Sequence, residues 1–229
     1  MTALIRLRLT GLTRTGRAIA PILGGLAIIG IIYGGGPARP TEAYGLAAIV
    51  LFPVLAWLTK ILLDVEPDTQ RQLSVVLLGS WRREILAGLL AAGIASLPVV
   101  GLSLLLPWII GGVTLSNGGP SLLPALLLGL WAHLIAVPPA VALGALSSRV
   151  IAVSAGRAAA VLAGGVVLVL VLGIPGSPVP WLAPPLLSVA HTLADIQVRA
   201  APMLPFTGWA LVWTGVVLVG YGWLRRTRT

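Results

Sequence analysis

Long runs without charge dominate this sequence of 229 residues. Five stretches contain no Asp, Glu, Lys or Arg: residues 18–38, 43–59, 85–148, 158–194 and 200–224. Each is close to or longer than the roughly 20 apolar residues that an α-helix needs to cross a bilayer. Only 9% of the residues are charged, so a soluble all-α core would have too little polar surface to cover it. The sequence therefore predicts an all-α polytopic membrane protein.

Breaks between the apolar runs predict six transmembrane helices within a single domain, residues 1–229. The predicted spans are residues 18–33, 44–63, 85–110, 122–146, 158–174 and 206–224. Pro98 and Pro107 are expected to kink the third span or to divide it into a helix and a lip. Residues 175–205 are too rich in proline for a straight span and too apolar for an exposed loop. We expect a re-entrant or interfacial helical segment there, between the fifth and sixth spans, covered by protein or facing a wet cavity.

The N-terminal residues 1–17 predict an amphipathic helix in the membrane interface. Aliphatic side chains are interspersed with arginines, whose long side chains reach the phospholipid headgroups. The aliphatic residues are Leu4, Ile5, Leu7, Leu9 and Leu12, and the basic residues are Arg6, Arg8, Arg14 and Arg17.

Basic residues are distributed unequally between the two sides of the predicted membrane. With six spans, thirteen of the fifteen lie on the side that holds both termini, and only Arg39 and Arg199 lie on the other. Because cytoplasmic loops carry the excess of Lys and Arg, this asymmetry predicts cytoplasmic termini. Fourteen arginines against one lysine, with abundant Ala, Gly and Pro, fit a GC-rich bacterial genome. We therefore expect a multi-pass protein of the bacterial cytoplasmic (inner) membrane.

Composition and motifs argue against several classes of function. The net charge of +9 is carried by residues that flank the spans, which disfavours nucleic-acid binding. The absence of cysteine excludes disulfides, thiolate metal sites and cysteine nucleophiles. The sequence contains no Gly-rich phosphate-binding loop and no Gly-x-Ser-x-Gly turn. His191 and Asp195 have helical ligand spacing, but two ligands make a poor zinc site. We expect no enzymatic activity, metal or cofactor in this chain.

His133 is the one candidate for an ionisable group deep within a span. Ion-coupled carriers usually place such a group at depth, because burying it is costly and it is kept for function. Two interpretations stay open. His133 forms hydrogen bonds across helices near Trp131, or these two residues line a substrate path.

A polar loop, residues 64–84, interrupts the apolar runs and holds four of the six acidic residues: Asp64, Glu66, Asp68 and Glu84. Pro67 is a helix-start residue, and Leu73, Val76 and Leu77 then fall on one helical face. The pattern predicts a short amphipathic helix on the cytoplasmic surface, with its charged face toward water or a partner. The simpler alternative is a loop that is polar only because it is exposed to water. The apolar face of the helix would fit the bilayer interface equally well.

This layout resembles the ABC-2 type permease subunits of ABC exporters. That family often shows an acidic residue, a Thr, a Leu, a break and then Arg-x-Glu-Leu-Leu-x-Gly leading into the third span. In this chain the order is Glu66, Thr69, Leu73, Gly79-Ser80 and then Arg82-Arg83-Glu84-Ile85-Leu86-Ala87-Gly88. Asp68 stands at the family's usual Gly, Arg71 at an acidic position and Gly79 at the usual Pro of the break.

The resemblance implies a transmembrane subunit that pairs with a second permease subunit, identical or a sister chain, and binds separate ATPase subunits that hold ATP and Mg²⁺. The helix in the polar loop would dock in a groove of the ATPase, and the acids would meet basic or polar groups there. The implied coupling residues are Glu66, Asp68, Thr69, Arg71, Leu73, Arg82, Arg83 and Glu84. The apolar spans favour a hydrophobic or amphipathic substrate, such as an antibiotic, a peptide or a lipid-like molecule.

Other classes of function remain as alternatives at this stage. A secondary carrier or small channel fits the number of spans, although such carriers usually have acidic groups within the membrane. A membrane scaffold without transport activity also fits, and an intramembrane enzyme is the remaining class. The presence of an ATPase partner discriminates the exporter from all three.

Overall fold

A computed structural model describes residues 1–34, 36–115, 120–195 and 202–228 of the chain, without the side chains of Asp68 and Arg228. This part of the chain is built from α-helices and short connections. The helices are α1 (Thr2–Thr15), α2 (Ile19–Tyr33), α3 (Pro40–Leu63), α4 (Asp68–Leu78), α5 (Trp81–Ile109), α6 (Leu122–Leu146), α7 (Arg149–Ala152), α8 (Ala155–Leu172), α9 (Leu186–Ala194) and α10 (Met203–Arg228).

Five helices, α3, α5, α6, α8 and α10, are long and apolar enough to cross a membrane. This finding supports a multi-pass membrane protein. The predicted first span corresponds to α2, which has 15 residues and follows α1 at a bend of 70°. Counting this bent pair as one span gives six, so a total of six spans, with α2 as the first, stays a prediction.

Helix α3 lies at the centre of the bundle and contacts α2, α5, α6 and α9. In the most apolar 18-residue stretch of α3, 61% of the residues are buried, against 11% in the corresponding stretches of α8 and α10. Small residues let α6 approach α3 closely. At Gly144 the two helices are so close that an added methyl group would lie 2.6 Å from Cβ of Thr59, which is shorter than a van der Waals contact. The outer helices α8 and α10 therefore present most of their apolar surface to lipid or to another chain.

The prolines do not divide the predicted third span. Pro98 and Pro107 both lie inside α5, which runs as one helix from Trp81 to Ile109. The expected separate lip is therefore wrong. Neighbouring helices, Ser side chains and local adjustment satisfy the backbone groups that proline frees in membrane helices, which makes such positions tolerable.

The predicted outer segment, residues 175–205, contains a short 3₁₀ turn (Pro180–Leu182) followed by α9. Leu186, Val189 and Leu193 of α9 are buried, and the helix packs against α3 and α6. The prediction of helical pieces is confirmed for this part, while Arg199 lies outside the described residues. Whether the segment enters the membrane again stays a prediction.

Candidate functional site

The polar loop contains a helix at the predicted place. Helix α4 begins directly after Pro67 and is followed by Gly79, which has a left-handed φ of 65° and donates its N–H to the Val76 carbonyl at 3.1 Å. Proline before a helix and glycine after it are the common boundary residues, since one presets φ and the other tolerates the left-handed turn. The chain then turns at Ser80 into α5.

The apolar face of α4 points away from the protein. Leu73, Val76 and Leu77 are 63%, 76% and 85% exposed. Thr69 is exposed on the same face, one turn before Leu73, and the exposed Gln70 and Gln72 lie at the two edges of this face. Three adjacent aliphatic side chains on one exposed helical turn form an apolar surface that a partner or the bilayer interface would cover.

Arg71 and Ser74 lie on the opposite face of α4 and are buried. Arg71 Nη2 donates a hydrogen bond to the carbonyl of Leu63. The prediction that the charged face of this helix points outward is therefore wrong for Arg71. Burial lowers the pKa of Arg71, and the neighbouring guanidinium of Arg225 lowers it further.

Two acids of the polar loop, Glu66 and Glu84, belong to a buried ion cluster with Arg8 of α1 and Arg225 of α10. Arg8 Nη2 donates to Glu66 Oε2 at 2.8 Å and also to Glu84 Oε1. Arg225 Nη2 donates to Glu84 Oε2, and Arg225 Nη1 lies 3.3 Å from the Tyr221 hydroxyl. The four side chains of the ion cluster are each at most 8% exposed.

The structure corrects the expectation that Glu66 and Glu84 meet groups on a partner. Their carboxylates point into the protein. Arg8 and Arg225 supply the opposite charges and hydrogen bonds that buried charges need. Burial disfavours the charged form of Arg8, but the hydrogen bonds and the attraction from Glu66 and Glu84 outweigh this effect and raise its pKa. The ion cluster therefore joins α1, the start of α5 and the end of α10.

Asp64, the first acid of the polar loop, also has partners within the chain. Its carboxylate accepts hydrogen bonds from Lys60 Nζ at 2.9 Å and from the backbone N–H of Arg149 at 2.8 Å. Arg149 opens α7, so Asp64 satisfies a backbone donor at the start of that short helix. Three of the loop's four acids thus hold the fold together, and the side chain of Asp68 lies outside the described part of the structure.

The basic residues at the start of α5 are on the surface. Arg82 and Arg83 are exposed, and the Arg82 guanidinium lies 5.6 Å from the ring centroid of Trp81. Their positions agree with a role at an interface. Among the predicted coupling residues, Thr69, Leu73, Arg82 and Arg83 are accessible, whereas Glu66, Arg71 and Glu84 are not.

His133 forms hydrogen bonds across helices, as one of the two interpretations predicts. It is fully buried; its Nδ1 lies 2.7 Å from the Gly129 carbonyl and its Nε2 lies 3.0 Å from the Ser103 hydroxyl of α5. The predicted substrate path is therefore wrong for His133 in this conformation. Trp131 instead lines a groove of about 290 Å³ between α6 and α10, where its indole N–H donates to Thr207 Oγ1 at 3.0 Å.

Sequence reasoning missed the two arginines of the ion cluster. Arg8 lies between Leu4 and Leu12 at helical spacing, and these three residues are the buried face of α1. An arginine in line with apolar residues at i−4 and i+4 is a signal of a buried ion pair. Arg225 gives no comparable signal, because it begins a basic run at the end of the chain.

Within the described ranges, no three His, Asp or Glu side chains come together as a metal site would require. Comparison of the chain with known protein families, with curated proteins and with solved structures finds no match.

Proposed function

We propose that the chain is the transmembrane permease subunit of an ATP-driven exporter of the ABC-2 type. The observation that carries this proposal is the exposed apolar face of α4, formed by Leu73, Val76 and Leu77. A docking helix needs accessible apolar side chains because the centres of protein interfaces are apolar and depleted of charge. In this proposal the aliphatic face enters a groove of the ATPase, and Arg82 and Arg83 lie at the rim of the contact.

The ion cluster supplies the connection between this docking helix and the spans. Glu66 lies two residues before α4 and contacts Arg8, while Glu84 lies in the first turn of α5 and contacts both Arg8 and Arg225. A displacement of α4 would therefore be transmitted to α1, α5 and α10 together. Coupling by buried pairs within the chain replaces the expected contact of these acids with the ATPase.

The proposal includes six spans with cytoplasmic termini in a bacterial inner membrane, ATP and Mg²⁺ on the ATPase, and a second permease subunit. The weakly buried helices α8 and α10 have apolar surface for that second copy or sister chain. An apolar groove lined by Trp131, Leu134 and Leu211 fits a hydrophobic or amphipathic substrate.

Purification of the natively expressed chain tests this class of function. We expect an ATPase with a phosphate-binding loop to co-purify in fixed stoichiometry, and the complex to hydrolyse ATP. A folded chain that purifies without any ATPase and moves a substrate in vesicles without ATP would identify a secondary carrier instead. A folded chain with neither an ATPase nor transport activity would support a scaffold.

A further inference from the structure

The outward face of α1 is basic. Arg6 and Arg14 are exposed there, and Arg17, which follows the helix, is exposed as well. Arg8 lies on the inward face in the ion cluster and is not part of this surface. The three exposed arginines form what we call the arginine face.

The arginine face lies where the chain enters the apolar part of the molecule. Helices α1 and α2 meet at a bend of 70°, and the break between them contains Arg17. If α2 runs along the membrane normal, α1 lies close to the membrane plane. The first turns of α2 expose Ile19 and Leu23 at 58% and 59%. These aliphatic side chains put the arginine face at the depth of the phospholipid headgroups.

Among the carboxylates whose side chains the structure describes, none forms a salt bridge with Arg6, Arg14 or Arg17. Helix α1 contains no acidic residue, and the nearby Glu66 and Glu84 are buried in the ion cluster. Leu7, which is 46% exposed, lies on the same side of α1 as Arg14. Exposed aliphatic side chains beside arginines suit a lipid interface better than a purely electrostatic contact with an acidic protein.

From these observations we propose that Arg6, Arg14 and Arg17 form a binding surface for the phosphate headgroups of anionic phospholipids. Each basic residue near an anionic membrane surface strengthens binding by about fivefold at moderate ionic strength. Removal of all three should therefore weaken binding by about a hundredfold, and added salt should reduce the difference. Lipid binding by the arginine face requires no ATPase, so its test is independent of the proposed exporter function.

The test measures lipid binding to the full chain in detergent by native mass spectrometry, with phosphatidylglycerol as the anionic probe and phosphatidylcholine as the neutral one. We expect wild type to prefer phosphatidylglycerol. The triple variant Arg6→Gln, Arg14→Gln, Arg17→Gln should lose that preference, and the corresponding triple lysine variant should keep most of it.

A matched control removes three exposed arginines elsewhere, by Arg149→Gln, Arg157→Gln and Arg226→Gln. This control should keep the affinity for phosphatidylglycerol within about twofold of wild type, because these residues are outside the arginine face. Equal weakening by both glutamine triples would show attraction by net charge alone and overturn the site. Unchanged lipid binding by the α1 variant, with loss of a co-purifying ATPase, would assign the arginine face to the protein partner. If the α1 triple variant does not fold, Arg14→Gln alone should weaken binding severalfold, and no change would overturn the proposal.

Discussion

Neutralising Glu84 should destabilise the whole molecule, although this residue was expected to lie at a partner interface. Its two carboxylate oxygens accept hydrogen bonds from Arg8 and from Arg225, and its side chain is 1% exposed. The substitution Glu84→Gln keeps the size of the side chain but removes the charge that both guanidiniums share. Arg8 keeps its bond to Glu66 at 2.8 Å, so the ion cluster is weakened rather than abolished.

Breaking a buried ion pair by removing one partner costs about 3–5 kcal/mol, because the remaining charge stays buried. For a chain of this size each kcal/mol lowers the melting temperature by about 2–4 °C, so we expect a decrease of about 6–20 °C. The eight tryptophans allow the transition to be followed by intrinsic fluorescence in detergent.

The matched control is Glu42→Gln, which neutralises a 49% exposed carboxylate in the surface pair with Arg39. Exposed pairs contribute about 0–1 kcal/mol, so this variant should melt within a few degrees of wild type. Replacing Arg8 and Arg225 by Met and Glu66 and Glu84 by Leu together should restore much of the loss, because none of these four charges is then buried alone. A Glu84→Gln protein that melts no lower than Glu42→Gln would refute the stabilising role of the ion cluster.

Two further predictions concern the membrane topology and His133. Because the chain has no cysteine, single introduced cysteines report topology directly: in intact cells an impermeant maleimide should label Ser121→Cys and not Thr13→Cys. Labelling of both from outside would contradict cytoplasmic termini. In a His191→Gln background, diethyl pyrocarbonate should leave His133 unmodified until the protein unfolds, since this side chain is fully buried. Rapid modification of the folded protein, read by peptide mass spectrometry, would instead indicate an open aqueous path at His133.

The membrane class and the helical segments of this protein follow from sequence because they depend on local properties. Charge-free runs mark α3, α5, α6, α8 and α10, since the length of an apolar run decides whether a helix can cross a bilayer. Pro67 and Gly79 set the ends of α4 through backbone conformation, and helical spacing puts Leu73, Val76 and Leu77 on one face. None of these features requires knowledge of a distant contact.

The direction in which the polar loop faces could not be predicted in this way. Glu84 is separated by 76 residues from Arg8 and by 141 residues from Arg225, so its partners depend on the arrangement of whole helices. Helical periodicity identifies the apolar face of α4 but does not say whether that face points inward. A polar, acid-rich loop therefore predicts a contact surface, whereas the three acids whose side chains are described bind within the chain.

The proposed docking of an ATPase on the apolar face of α4 is tested most directly by a comparison of two variants. Leu77→Asp places a charge on that face at its most exposed residue, and Gln72→Asp places the same charge beside the face on the same helix. Leu77 is 85% exposed and Gln72 is exposed, so both variants should fold and insert like wild type.

The measurement is the amount of ATPase that co-purifies with each variant from cells that express the native complex. We predict full recovery with wild type, near-full recovery with Gln72→Asp, and loss of at least about nine tenths with Leu77→Asp, because burying an unpaired charge in an interface costs several kcal/mol. Equal recovery of the ATPase with all three proteins would contradict docking through α4.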